Sequence, residues 1–506
     1  MVGKILAAVA FVALGWPAAA QVDSLALHYA RWLTEERLHD HLSVLASDEF
    51  EGREVGTPGE KKAAAYIMEQ FKAQGIPPLG DTMGKGMLRD GYRQEFPVVR
   101  SHLGGLRMEL GGKPCTFLRD HMYFRENLAK EVHTAEVMLL TPLTAGGILL
   151  GGAGKVTMLW DDGGKSATKA DLGMLGEMSK GTGMEVLLVV DSSANELMER
   201  FGAKLQEGRL RLGGPAGSMK KDEGLQVIMI TPELGEAIIR EAGLKPKKAL
   251  KEAATKRVIL KVPMAFSAKN LEEELTGQNV LAYLEGGDKK DELVVVTAHL
   301  DHVGVQDGEV YNGADDDGSG TVAVLGMAEA FAKAKADGHG PRRSMLFMTV
   351  SGEEKGLFGS RWYTDDPVFP LANTVANLNI DMIGRVDSTH EGNDHYVYVI
   401  GSKRLSSELG EILEQQNATY TQLELDYTFD ADDDPNRFYY RSDHYNFAKH
   451  GIPVAFFFNG VHEDYHGPYD EVDKIRFDLL HQRALLVFHT AWELANREDR
   501  PVVDGK

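Results

Sequence analysis

A single cysteine, Cys115, in a chain of 506 residues excludes an intrachain disulfide. Any metal held here must therefore rely on His, Asp and Glu rather than thiolates. Basic residues are in deficit, with 55 Lys and Arg against 76 Asp and Glu and a formal charge of -21. A surface of that sign repels nucleic acid and anionic lipid, so neither is expected as a partner. Long apolar runs are missing as well. Beyond the amino terminus, no stretch approaches the roughly 18 unbroken apolar residues that span a bilayer, so no membrane insertion is expected. What is left is ordinary globular material, 43% hydrophobic and 26% charged, enough for about two to four domains.

The amino terminus has its own pattern. Lys4 precedes an apolar run from Ile5 to Trp16, and Pro17-Ala18-Ala19-Ala20 follows with small residues before Gln21. A charged start, a short apolar stretch and an Ala-x-Ala cut site predict a signal peptide over residues 1–20. The mature protein is then exported, to the periplasm or beyond.

From about Ser24 to Gly75 the spacing of apolar residues predicts helices, broken by a polar loop through Ala46–Arg53 and Gly56–Gly59. Between 118 and 262 the texture changes to short apolar runs such as Val186-Leu-Leu-Val-Val190, separated by Gly-rich turns. A helix over Pro232–Ala242 closes the segment, and no His, Asp or Glu cluster stands out in it. It reads as an inserted β-rich domain. The flanking pieces, 21–117 and 263–506, form one discontinuous domain, in which strands and helices alternate from Gln278 onward. That alternation implies an α/β fold: a mixed β-sheet flanked by helices on both faces.

Five places put ligand-capable residues at or near the ends of apolar strands, where open α/β folds build their sites. They are Thr297-Ala-His-Leu-Asp-His302, Asn312-Gly-Ala-Asp-Asp-Asp-Gly-Ser-Gly320, Ser351-Gly-Glu-Glu354, Asp381, and His466 in Asp464-Tyr-His-Gly-Pro-Tyr-Asp470. Three consecutive aspartates repel one another, and a cation relieves that. Neighbouring glutamates can divide the work, one holding metal and the other acting as general base. Together the set supplies each of two metals with one His, one terminal carboxylate and a shared carboxylate. Imidazole plus carboxylate suits zinc, and the ligand type also admits manganese or cobalt.

The order His-x-Asp, Gly-Ala-Asp-Asp-Asp-x-Ser-Gly, Glu-Glu-x-Gly, Asp, His resembles the zinc aminopeptidases of metallopeptidase family twenty-eight, in the subgroup with an inserted protease-associated domain. The resemblance implies a zinc-peptidase-like (phosphorylase/hydrolase-like) core, two zinc ions per chain and peptide substrates. It implies that Asp316 bridges the metals, that His299 and Asp381 complete one site, and that Glu354 and His466 complete the other. Glu353 is then the general base, Asp301 orients His299, and the Asp316–Asp317 peptide is cis. Tyr439 or Tyr440 is a candidate oxyanion helper, and Asp430-Ala-Asp-Asp-Asp434 reads as a solvated acidic loop. Three alternatives share the scaffold: a carboxypeptidase using Arg385 or Arg441 for the substrate carboxylate, a glutaminyl cyclase with one zinc, and an inactive receptor-like homologue.

Overall fold

The computed structural model describes residues 22–79, 88–128, 130–141, 154–161, 183–214, 225–269 and 271–505. The expected signal peptide lies outside them. The chain divides into two compact units, Met1–Phe96 with Thr276–Lys506, and Pro97–Leu275.

In the first unit four strands lie parallel in the order Arg343–Val350, Lys289–His299, Thr374–Ile380 and Val454–Phe458. Leu271–Leu284 flanks them antiparallel on one side and Tyr396–Ile400 on the other. The parallel strands read as unbroken apolar runs because both faces are covered. Val294, Val296 and Ala298 point into one core, built with helices Gly320–Ala336 and Phe477–Asn496. Leu293 and Val295 point into the other, with Tyr363 of helix Phe358–Asp365 and Phe447 of helix His444–Ala448. Helices Glu35–Leu45 and Pro58–Ala73 stack onto Gly320–Ala336. Their starts follow local rules: Thr34 accepts from the Arg37 amide, and Thr57 accepts from that of Glu60 ahead of Pro58.

Register then decides what meets at the carboxyl ends. His299 pairs with Val350, and Thr297 with Asn379. The turns after His299, Val350, Ile380 and Phe458 consequently emerge side by side at one edge.

The second unit holds an eight-stranded sheet. Four of its strands run parallel: Val132–Leu140, Val156–Asp161, Val186–Asp191 and Gln226–Ile230. Helices Ala194–Glu207, Pro232–Glu241 and Pro246–Ala253 accompany them. The segment expected to be simply β-rich therefore has α/β character at its centre. It is also wider than 118–262, because Leu106–Leu110 pairs with Val258–Ala268 and Lys113–Cys115 pairs with Leu106–Leu110, bringing all three into one sheet.

Candidate metal centre

The three consecutive aspartates turn three ways, and each has separate work. The Asp315 carboxylate accepts from the Gly384 amide at 2.6 Å, securing the turn after Asp381. Asp317 accepts from the amides of His299, Gly320 and Met382 at 3.1, 2.9 and 3.0 Å, which ties three of the site's segments to one carboxylate. Asp316 is left to face the cluster. The Asp316–Asp317 peptide is cis, as expected. Glycine is required on both sides. A Cβ at Gly320 would stand 2.4 Å from the Asp317 carboxylate, and one at Gly313 (φ +55°) 2.3 Å from the Asp316 carbonyl.

Around Asp316 the predicted residues converge. His299 Nε2 lies 3.2 Å from Asp316 Oδ1 and 3.5 Å from Asp381 Oδ1. On the other side, His466 Nε2 is 3.1 Å from Asp316 Oδ2 and 3.1 Å from Glu354 Oε2. His302 completes this second group, with Nδ1 at 2.9 Å from Glu354 Oε1. Sequence reasoning passed over His302, although it stands only three residues after His299. Glu353 comes no nearer to His299 than 4.0 Å, and its amide donates to Asp301 Oδ1 at 3.2 Å. Asp301 meets His299 differently from expectation: its backbone carbonyl is 3.0 Å from Nδ1, while its carboxylate oxygen stands at 3.8 Å. The carboxylate is drawn toward the Glu353 amide instead.

The donor set fits a pair of cations. Two ligand atoms bound at about 2.0–2.1 Å in tetrahedral geometry lie about 3.3 Å apart, close to the 3.1–3.5 Å separations here. His299 Nε2, Asp316 Oδ2 and Glu354 Oε1 are buried with no hydrogen-bond partner among the described residues. Such atoms are costly unless something else satisfies them. The electrostatics agree. Although burial disfavours a charged ring, Asp316 and Glu354 overcome it and push His466 up to about 10. Burial, with Asp381, Glu354 and Asp443 against the pull of His299, raises Glu353 well above the usual carboxylate range. The site demands positive charge at its centre and leaves one glutamate eager for a proton.

Two buried arginines brace the walls. Arg53 donates to the carbonyls of Leu45, Leu300, Asn312 and Gly313 at 2.6–2.9 Å, so one guanidinium pins the segments carrying His299 and Asp316. Arg483 does the same for the carbonyls of Ile383, Arg385 and Tyr396. Neither was singled out from sequence. Beneath the site, Asn377, Thr297, Asn379 and Ser442 form a hydrogen-bonded row across the parallel strands.

Tyr465, which the sequence did not single out, stands beside the carboxylates. Its ring stacks on His466 at 3.9 Å. Burial and the charges of Asp316, Glu354, Asp381 and Glu353 all push its hydroxyl upward, so it stays a donor. Tyr439 instead packs under the Arg404 guanidinium. The acidic run from Asp430 is spoken for: Arg404 pairs with Asp430 and Asp432 at 2.6 and 3.1 Å, and Asp434 accepts from the Phe438 amide.

Residues 279–491, which carry every member of this cluster, match the model of peptidase family M28. The match covers less than half of the chain. Among curated relatives, aminopeptidase YwaD of Bacillus subtilis (strain 168) is 27% identical over 287 residues, covering 55% of this chain and 53% of its own length. Leucine aminopeptidase 1 of Phaeosphaeria nodorum is 29% identical over 228 residues, covering 44% and 56%. The chain thus spans about half the length of the curated relatives it matches. The solved aminopeptidase from Aneurinibacillus sp. strain AM-1 superposes with a TM-score of 0.52 at 19% identity, over 95% of this chain and 98% of that one. At that identity the likeness is one of fold.

Proposed function

We propose that this chain is a two-zinc aminopeptidase that hydrolyses amino-terminal residues from peptides. One observation carries the reading: two groups, His299 with Asp381 and His302 with Glu354, share Asp316, and His299 Nε2, Asp316 Oδ2 and Glu354 Oε1 are buried without a hydrogen-bond partner among the described residues. His299 and Asp381 would hold one ion, Glu354 and His466 the other, and Asp316 both, with His302 behind Glu354. The relatives named aminopeptidases supply the direction of attack. Bound zinc would supply Lewis acidity, polarising the scissile carbonyl and making water acidic enough to lose a proton near neutral pH.

The chain's own groups do the rest. Glu353 is fixed through its amide by Asp301 and has a raised proton affinity. It takes the proton of the attacking water and returns it to the departing amine. Tyr465 donates its hydroxyl hydrogen toward charge developing on the carbonyl oxygen. A shared carboxylate favours two ions over the one-zinc cyclase. Arg385 does not serve as a carboxypeptidase anchor, since it is engaged by Asp464 at 2.9 Å.

Export through residues 1–20, and a protease-associated role for the second unit, complete the proposal. The deciding experiment is a panel of aminoacyl and amino-blocked peptides with and without chelator. Free amino termini should be cleaved, chelation should stop the reaction, and added zinc should restore it. Chelator-resistant turnover, or pyroglutamate formed without hydrolysis, would overturn the reading.

A further inference from the structure

Two cavities meet at the metal centre, and their walls differ in kind. One, of about 30 Å³, is lined by Met382, Phe438, Phe456 and Phe458 beside Asp316 and Asp381. The other is open, about 660 Å³, and begins at Glu353, Glu354 and His466. Its lining also carries three cations, Arg361, Arg441 and Lys449, and one further acid, Asp365. Asp365 answers Arg361, 3.6 Å away. The other two cations make their hydrogen bonds to neutral groups. Lys449 donates to the Asn446 side-chain oxygen at 2.8 Å. Arg441 donates to the Tyr465 hydroxyl at 3.3 Å and lies over the Phe438 ring at 4.8 Å. Among the described residues neither forms an ion pair, and both line the cavity.

We propose that the open cavity is a carboxylate subsite, in which Arg441 and Lys449 hold an anionic group on the leaving side of the scissile bond. This rests on the aminopeptidase reading. The amino-terminal side chain enters the small apolar pocket, and the residue after the bond lies in the open cavity. Arg441, Glu353 and Tyr465 line both, so Arg441 stands at the boundary where the leaving residue begins. A guanidinium resting on an aromatic face keeps its donors directed outward for a planar anion. The carboxylate can come from two sources: an acidic side chain at the second residue, or the free carboxyl end of a dipeptide.

The test uses the zinc-loaded enzyme and four substrates: Leu-Ala-amide, Leu-Ala, Leu-Asp-amide and acetyl-Leu-Ala. The expected result is a kcat/KM at least about tenfold higher for Leu-Ala, for Leu-Asp-amide, or for both, than for Leu-Ala-amide, a gap well within what one desolvated charge contact provides. Which of the two gains identifies the source. In Arg441→Gln/Lys449→Gln that ratio should fall toward one, mainly through KM, while Lys449→Arg should retain it. High salt should shrink the ratio in the unaltered enzyme. Equal kcat/KM across the three free-amine substrates, or a preference that survives in the folded, zinc-loaded double variant, overturns the subsite and leaves the aminopeptidase reading standing. Cleavage of acetyl-Leu-Ala with Leu-Ala-amide untouched overturns the aminopeptidase reading and the leaving-side placement with it.

Discussion

In the unit built around Lys289–His299 and in the unit built around Val186–Asp191, parallel apolar strands run side by side and are buried on both faces. Past the strand ends the two part company. In the first, the turns deliver Asp301, Asp315, Asp316, Asp317, Asp381 and Asp470, all buried, into one small volume. In the second, the carboxylate after Val190 is Asp191, which accepts from the Ser193 amide and hydroxyl in the turn ahead of helix Ala194–Glu207. One kind of sheet thus supports a candidate metal centre in one place and an ordinary turn in the other. What separates them is the geometry of the turns: glycines at 313 and 320 with no room for a Cβ, and a carboxylate at 317 that accepts three amides. Among the described residues, both groups able to hold a metal lie in the first unit.

The comparison breaks first at Glu353. If the first unit's acids divide into holders and a proton carrier, Glu353→Ala should keep its zinc and lose about 10²–10⁴-fold in kcat, the span of general acid–base catalysis. Elemental analysis beside a turnover assay checks this. Retained turnover in the metal-loaded variant would merge the two roles again.

Arg53→Met is the next largest change. It withdraws four charge-assisted hydrogen bonds from buried carbonyls and should cost at least about 3 kcal/mol in urea unfolding, since each buried carbonyl left without a donor costs about 1–3 kcal/mol. Zinc affinity should weaken alongside, because the segments of His299 and Asp316 lose their common anchor. A folded Arg53→Met with undiminished zinc affinity would show that the strand ends hold the site unaided.

How far the first unit could be read in advance follows from the same division. Residues that end apolar strands announce themselves, because a run such as Val294-Val-Val stops at a polar group; His299, Glu354, Asp381 and the aspartate run were visible this way. Arg53, Arg483 and Tyr465 were not. Arg53 ends the short kinked turn Asp48–Arg53, and three of its four carbonyl partners lie some 250 residues away. Arg483 is one buried cation inside helix Phe477–Asn496 and looks in sequence like any exposed turn of it. Tyr465 is marked only by its place beside His466. In the second unit the Gly-rich turns advertised strands, while helix Ala194–Glu207, with only three buried residues, gave too thin an apolar stripe to outweigh them.

Leu188→Ala tests the second unit as packing alone. Leu188 is fully buried in a strand between two parallel neighbours, so truncation should cost about 2–4 kcal/mol. Zinc content and turnover per folded molecule should stay unchanged. A fall in zinc affinity would mean that the second unit's core supports the metal centre after all.

The smallest effects come from two buried groups that are titratable and have opposite signs. His121, in the second unit, is fully buried beside the Phe117 and Tyr123 rings, with no hydrogen-bond partner on either nitrogen among the described residues. Burial pushes its ring from the ordinary 6.5 down to about 4. The unfolded chain therefore binds the extra proton first, and stability present above pH 6.5 is lost as pH falls toward 4. Glu60, in the first unit, accepts from the Gln278 amide at 2.7 Å, and burial pushes it from 4.5 up to about 8. Here the folded chain keeps the proton, so stability present below pH 4.5 is lost as pH rises through 8. Each contributes a slope of up to about 1.4 kcal/mol per pH unit, and between pH 4.5 and 6.5 the two oppose each other. Urea midpoints of the zinc-loaded protein across that window should steepen downward toward alkaline pH in His121→Leu and steepen upward in Glu60→Gln. Identical profiles in both variants would mean that neither group is as dry as its surroundings imply, and that the contrast between the units ends at the metal.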